Sequence, residues 1–422
     1  MIEKHNFHWR GGFSYNFPKK REIFNKLVDE IKTRQIISLI GMRRTGKSVL
    51  LRQIIDHLIQ SEKVGRENIL FYSFDEEQPK IEDIIKEYES RTGKDILKEN
   101  NRIYIFLDEI QKLENWQNQI KYYYDNYSNI KFFISGSSSL FIKKNIRESL
   151  AGRIYEFTLY HLSFREFLIF RDKAEFIEKP SMFEDLLKTE FPAYPKRQFI
   201  EIVNESEEKA GEYVRTLIEK IVYQDIPKIF PIENEELLMK IMKIIASNPG
   251  MLSDYKSLSN ELGISRVTLS NYFFYLEESF LIRKLYNFSK NNLTSEKRMK
   301  KFYLSSTGLF AFLNNNIEES KLIENLVVLT AGARFFWRTP QKYEVDIILT
   351  KDNEITPIEI KYKNNISPKE VKNLIRFSRD FDIGKAIMIT RDLSERREFE
   401  LGNGRCVEIN FVPVWKFLLD YK

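Results

Sequence analysis

An α/β fold is predicted for this chain, and two patterns in its first 165 residues predict it. Apolar runs recur at Ile36–Ile40, Ile69–Phe74, Ile103–Leu107 and Ile130–Ser135, with the length and composition of strands buried on both faces. Between them, stretches such as Val49–Gln60 and Trp116–Tyr124 carry apolar residues at helical spacing. Strands and helices in alternation imply a mainly parallel sheet covered by helices on both faces.

The remainder is organised differently. Residues 166–235 read as helical, broken at Phe191-Pro192-Ala193-Tyr194-Pro195, and suit a helical lid or linker. Residues 236–290 read as a compact helical stretch. Within it Leu258, Leu262, Ile264, Val267 and Leu269 are placed to form an apolar contact between two helices. Gly263 would turn the chain and Ser265 would cap the second helix, a winged helix-turn-helix pattern that Phe273–Leu285 continues. After a basic junction at Lys297-Arg298-Met299-Lys300-Lys301, residues 318–422 return to α/β character. A helix there precedes strand-like runs at Glu344–Leu349 and Ile358–Tyr362, then a helix at Pro368–Phe377 and a strand at Lys385–Thr390.

Composition narrows the chemistry. A chain of 422 residues suggests two to four domains, at roughly 100–200 residues each. An aromatic content of 14% argues against disorder. Cys406 is the single cysteine, so no intramolecular disulfide forms, and with four histidines it cannot build a zinc finger. Any metal should therefore be hard, as Mg²⁺ is, and held by carboxylates and phosphate. No apolar run reaches the ~18 residues of a membrane span. Met1–Phe17 lacks the apolar stretch of a secretory leader, so a cytoplasmic location without membrane contact is expected. The net charge of +6, from 67 basic and 61 acidic residues, is compatible with nucleic acid as a partner and does not demand it.

The most specific signal is Gly41-Met42-Arg43-Arg44-Thr45-Gly46-Lys47-Ser48, which follows an apolar strand and opens a helical pattern. Such a turn lets backbone N–H groups surround phosphate oxygens at a helix N-terminus. Lys47 would reach the β- and γ-phosphates of ATP and Ser48 would sit on Mg²⁺. Arg43 and Arg44 would contact phosphate or a neighbouring acid. The run Ile103–Glu109 ends in Asp108-Glu109, where Asp108 would hold Mg²⁺ and Glu109 would orient the attacking water. The next strand ends in Ser135-Gly136-Ser137-Ser138-Ser139, whose Ser135 or Ser137 either senses the γ-phosphate or caps a turn. Arg153 stabilises transition-state charge, in its own chain or a neighbour's, or is a surface arginine.

These segments, with Leu107–Gln111, Ser149–Arg153 and Leu162-Ser163-Phe164-Arg165-Glu166-Phe167, form a succession. It resembles that of prokaryotic AAA+-type ATPases of the archaeal, STAND-related branch. The resemblance covers nearly the whole chain. It implies a P-loop ATPase using ATP and Mg²⁺, followed by a C-terminal domain similar to restriction-endonuclease folds. Ser306 departs from the pattern, standing where the family has an acid.

Two further constellations bear on the downstream role. In the helix-turn-helix, Ser265, Arg266, Thr268 and Asn271 would face DNA, and Arg283, Lys284, Lys297, Arg298, Lys300 and Lys301 would supply phosphate-neutralising charge. A lid or spacer role is the alternative. In the C-terminal domain, strand alternation puts Glu344 with Asp346 and Glu359 with Lys361 on shared faces. A hairpin joining them would bring Asp346, Glu359 and Lys361 together as in a PD-(D/E)-x-K core, a second Mg²⁺ site to which Glu324 adds a further acid. An ordinary half-buried sheet has the same alternation. Three functions stay open: an ATPase coupled to nucleic-acid binding or processing, with DNA ahead of RNA; a nucleotide switch with a non-cleaving C-terminal domain; and a protein-remodelling ATPase. Oligomerisation stays open with them.

Overall fold

The computed structural model describes residues 2–96, 98–136, 150–252, 255–289, 299–352, 354–402 and 404–421. Ser137, Lys297 and Arg298 lie outside them. The chain divides into two units, residues 1–161 with 278–280, and residues 162–277 with 281–422.

The first unit is built on five parallel strands, β1 (Ile36–Ile40), β2 (Ile69–Ser73), β3 (Ile103–Asp108), β4 (Ile130–Gly136) and β5 (Ile154–Thr158), in the order β2-β3-β4-β1-β5. Four of them match the apolar runs. Alternate residues feed two cores. Ile37, Leu39, Phe71, Phe106 and Phe133 pack under α1 (Phe24–Asp29) and α2 (Lys47–Gln60). Ile36, Ile40, Leu70, Ile105 and Ile134 pack under α3 (Ile81–Thr92) and α4 (Trp116–Asn126), where Trp116 is fully buried. The exposed flank of edge strand β2 is covered by the N-terminal segment. Asn6 pairs with Phe71 in both directions, its Oδ1 accepting from the Phe71 N–H at 2.7 Å and its Nδ2 donating to Phe71 O at 2.9 Å. A side-chain amide thus continues the ladder where a strand would otherwise stand.

The second unit carries one nine-stranded sheet, ordered β13-β14-β12-β11-β10-β9-β7-β8-β6. Its first three strands are β6 (Met251–Leu252), β7 (Ile282–Asn287) and β8 (Lys300–Leu304). They accompany three helices, α7 (Glu235–Ser247), α8 (Tyr255–Leu262) and α9 (Arg266–Glu278). Before these come α5 (Phe164–Phe170) and α6 (Glu207–Lys220). Ser163 and Glu166 form a capping box at the start of α5, the reciprocal pairing that satisfies two orphan N–H groups.

Beyond β8 the chain runs α10 (Glu319–Thr330), β9 (Phe335–Arg338), β10 (Glu344–Lys351), β11 (Glu354–Ile360), α11 (Lys372–Phe381), β12 (Lys385–Thr390), β13 (Glu395–Gly402), β14 (Arg405–Pro413) and α12 (Val414–Asp420). Strands β9, β10 and β11 are antiparallel neighbours, whereas β11, β12 and β14 run parallel. One face packs on α5, α10 and α12 through Phe167, Leu326 and Leu418, and the other on α11 through Leu374 and Phe377. The parallel pairing of β7 with β9 joins the segment 236–290 to the segment 318–422 in a single sheet.

Two sequence expectations change here. Val267 is 71% exposed and so not part of the apolar contact expected of it, whereas Leu258, Leu262 and Leu269 are buried. Lys301 is 3% exposed and unavailable to an external phosphate. Ser306, where an acid was expected, caps a 3-10 turn by accepting from the Gly308 N–H, and its hydroxyl donates to Gln198 at 2.7 Å.

Candidate functional site

Parallel strands point their C-terminal ends the same way, and in such sheets the crevice beyond those ends is where ligands bind. β1 runs directly into Gly41. A Cβ there would lie 2.3 Å from the Leu159 carbonyl oxygen, so no larger residue fits. Gly46, at φ +95°, turns the chain into α2, whose first residues are Lys47 and Ser48. Lys47 is buried and its Nζ donates to Gly41 O at 2.9 Å and Met42 O at 3.0 Å. Thr45 Oγ1 donates to Met42 O at 2.9 Å. The loop thus holds its ammonium on its own carbonyls, a geometry that an incoming phosphate would exchange for stronger charge-assisted bonds.

Arg21, to which sequence reading assigned no role, braces this loop. Its guanidinium donates to Thr45 O at 2.6 Å, Tyr160 O at 2.8 Å and His161 O at 3.2 Å. It ties the loop to the segment after β5.

The acids stand one strand away. β4 lies between β1 and β3, so the tips of all three face the same end. Asp108 ends β3 and accepts a hydrogen bond from the buried Ser135 hydroxyl on β4. The Glu109 N–H points at the same hydroxyl, at 3.4 Å. Ser135 therefore couples both acids. Glu109 adopts φ +53°, ψ +40°, a left-handed conformation that is strained for a non-glycine residue, as does Arg44 at φ +67°. Burial pushes the Glu109 carboxyl above its ordinary value; the Lys47 charge opposes this and the Asp108 charge adds to it. Gln111 Nε2 donates to Glu109 Oε2 at 2.5 Å. Lys47, Asp108, Glu109 and Ser135 thus share one site. Arg153 does not join them. It precedes β5, whose first residue pairs with Ile36 at the opposite end of β1, and its Nε donates to Asp125 at 2.8 Å.

Residues 33–168 match a family model described as an AAA domain. That match takes in the Gly41–Ser48 loop and the acids Asp108 and Glu109, and supports a P-loop ATPase. Behind the AAA domain, residues 199–320 and 319–412 match models described as domains of unknown function, DUF8612 and DUF4143. A protein of Haemophilus influenzae, named as uncharacterised, is 26% identical over 406 residues, spanning 94% of this chain and 98% of its own. A similarly named protein of Methanocaldococcus jannaschii is 27% identical over 426 residues, spanning 96% and 92%. Among solved structures, the Aeropyrum pernix ORC2 protein in ADPNP-ADP complexes aligns with TM-score 0.41 and 13% identity, over 72% of this chain and 94% of that one.

The C-terminal carboxylates also converge. Asp346 on β10 accepts from the Ile360 N–H at 2.9 Å, Glu359 on β11 is buried, and Lys361 Nζ donates to Glu359 Oε1 at 2.6 Å. Burial, with the Asp346 charge adding to it, pushes Glu359 up to about 8. Glu324 on α10 accepts from Tyr303 OH at 2.9 Å. Between them sits Lys301, whose Nζ lies 2.5 Å from Glu344, 3.9 Å from Asp346 and 4.0 Å from Glu324. Among the described residues no group of three or more His, Cys, Asp or Glu side chains is arranged to hold a metal ion. The second Mg²⁺ site expected of Glu324, Asp346 and Glu359 has an ammonium in its midst. Two of the other basic residues expected to meet DNA are also engaged: Arg283 donates to Gly332 O and Ala333 O at 3.1 Å, and Lys284 to Glu277 at 2.5 Å.

Proposed function

We propose that the chain binds and hydrolyses ATP at the Gly41–Ser48 loop, and that the nucleotide state governs what its second unit binds. The observation that carries this is the coupling of Asp108 and Glu109 through Ser135, at the strand ends beside the phosphate loop. Arg43, Arg44, Thr45, Gly46 and Lys47 receive the phosphates. The donors at hand for Mg²⁺, the Ser48 hydroxyl and the Asp108 carboxylate, are oxygens and suit a hard cation. Bound Mg²⁺ supplies charge neutralisation on the phosphates. Glu109, with its proton affinity raised by burial, orients the attacking water, and Gln111 holds its carboxylate. Arg153 faces away from its own loop, so a transition-state role for it requires a neighbouring chain.

The second unit supports nucleic-acid contact through a winged-helix arrangement over 236–290 and a PD-(D/E)-x-K-like domain over 318–422. The first reading rests on α7, α8 and α9 with the antiparallel β6-β8-β7 set. The second rests on the succession α10-β9-β10-β11-α11-β12. The lysine among the carboxylates favours a switch that binds without cutting over a nuclease. ATP turnover, measured with and without double-stranded DNA whose length is followed on a gel, tests the whole. We expect turnover, intact DNA, and loss of turnover by about 10²-fold or more in Glu109→Gln, with nucleotide binding retained there and abolished in Lys47→Ala. Full turnover in Glu109→Gln would remove the role given to that residue. Shortened DNA would restore the nuclease reading, and indifference to DNA at low salt would point to a protein client.

A further inference from the structure

We infer that the Lys301 ammonium is a built-in cation that takes the place of a divalent metal at the carboxylate centre of the C-terminal domain, which makes that centre metal-independent. The inference rests on the PD-(D/E)-x-K-like reading of the strands around it. A buried ammonium is expensive unless carboxylates surround it, and the Lys301 side chain, 4% exposed, lies within 4.0 Å of three. Burial alone would lower its proton affinity, yet Asp346, Glu324 and Glu344 hold it above the ordinary lysine value.

Three of the four carboxylates at this centre have a cation of their own. Glu324 is paired with Lys321 at 3.0 Å, Glu344 with Arg338, and Glu359 with Lys361 at 2.6 Å. Asp346 is left, and among the described ion pairs Lys301 is the cation that reaches it. Mg²⁺ needs oxygen ligands at about 2.0–2.1 Å in near-octahedral array. At this centre it would have to share the space with Nζ, and two cations a few ångströms apart in a buried setting repel strongly. Removal of the lysine charge reverses the position. Glu324, Glu344 and Asp346 would then converge with no central cation, beside Glu359 Oε2, which is buried without a hydrogen-bond partner. Those first three carboxylates, now spread around Nζ at 2.5–4.0 Å, would have to draw in to ligate a divalent ion, and the native sequence fills that space from within.

The test is a Mn²⁺ titration of the nucleotide-free full-length chain, read by electron paramagnetic resonance. It reports on the carboxylate centre whether or not the domain binds nucleic acid. Wild type and Asp346→Asn should titrate alike. Lys301→Met should bind one additional Mn²⁺ per chain, and Lys301→Met/Asp346→Asn should lose it. Thermal unfolding should follow: Mn²⁺ should raise the melting temperature of Lys301→Met and leave wild type unchanged. A wild-type Mn²⁺ site that disappears in Asp346→Asn would overturn the inference. So would a folded Lys301→Met that gains no ion. If Lys301→Met does not fold, the wild-type and Asp346→Asn pair decides: matching titrations support the built-in cation and a difference refutes it.

Discussion

Arg21 shows how a residue can brace the Gly41–Ser48 loop from outside it. Its three bonds hold the carbonyls of Thr45, Tyr160 and His161, fixing the loop that must wrap phosphate. Hydrogen bonds to a charged donor contribute about 1.5–3 kcal/mol each at most, and part of that is spent on preorganising the loop. Arg21→Met should therefore weaken binding of a fluorescent ADP analogue by about tenfold or more, with the circular dichroism spectrum unchanged. An unaltered dissociation constant would reduce Arg21 to a packing residue. The residue was invisible in the sequence because Lys19-Lys20-Arg21-Glu22 looks like any solvated charge run. Lys47, Asp108 and Glu109 could be picked out as candidates because the motifs that hold them are written in local spacing after a strand. Lys301 failed the same way as Arg21: a Lys-Lys pair in a basic junction reads as surface, and its three carboxylates come from α10 and β10.

At the scale of elements, what could be read depended on burial. The strands β1 to β4 are almost entirely buried and stood out as apolar runs. β5 is an edge strand with half-exposed residues, Ile-Tyr-Glu-Phe-Thr, and left no such run. Helix α9 raises the converse problem. Val267 fitted a helical apolar stripe, but Leu269, Tyr272, Phe273 and Leu276 form the buried face, and the opposite face exposes Arg266, Val267, Ser270, Asn271 and Phe274. Val267→Lys should therefore change stability by less than about 0.5 kcal/mol. Leu269→Ala, at a fully buried position, should cost about 2–5 kcal/mol. Urea denaturation of the two variants separates these outcomes, and a large loss from Val267→Lys would show that α9 turns its other side to the protein. If this face meets DNA, Val267→Lys should also steepen the salt dependence of binding, because it adds one phosphate-neutralising charge.

At the scale of the whole molecule, long-range pairing was the least legible feature. The nine-stranded sheet is continuous because β7 pairs with β9, and Asn287 reinforces the join by exchanging two side-chain bonds with the Arg338 backbone at 2.9 and 3.0 Å. Nothing local announces a partner that far along the chain. The N-terminal segment over β2 is a similar case, and it gives the first unit a pH dependence. His8 is fully buried, with Nε2 donating to Ile69 O at 3.0 Å and Nδ1 accepting from Tyr15 OH at 3.1 Å, the arrangement of a neutral ring. Burial lowers its value from 6.5 to about 4. Above pH 6.5 both folded and unfolded chains hold it neutral and its contribution is complete. As the pH falls from 6.5 towards 4 the unfolded chain takes up the proton and the folded one does not, so stability declines, by roughly 3 kcal/mol over the window. Trp9 and Trp116 lie in this unit, and Trp337 and Trp415 in the other. Tryptophan fluorescence in a Trp337→Phe/Trp415→Phe background therefore reports the first unit alone. Urea midpoints there should fall between pH 6.5 and 4, and His8→Gln, which keeps a donor and an acceptor but cannot titrate, should flatten most of that slope. An equally steep decline in His8→Gln would move the acid sensitivity of this unit to other groups.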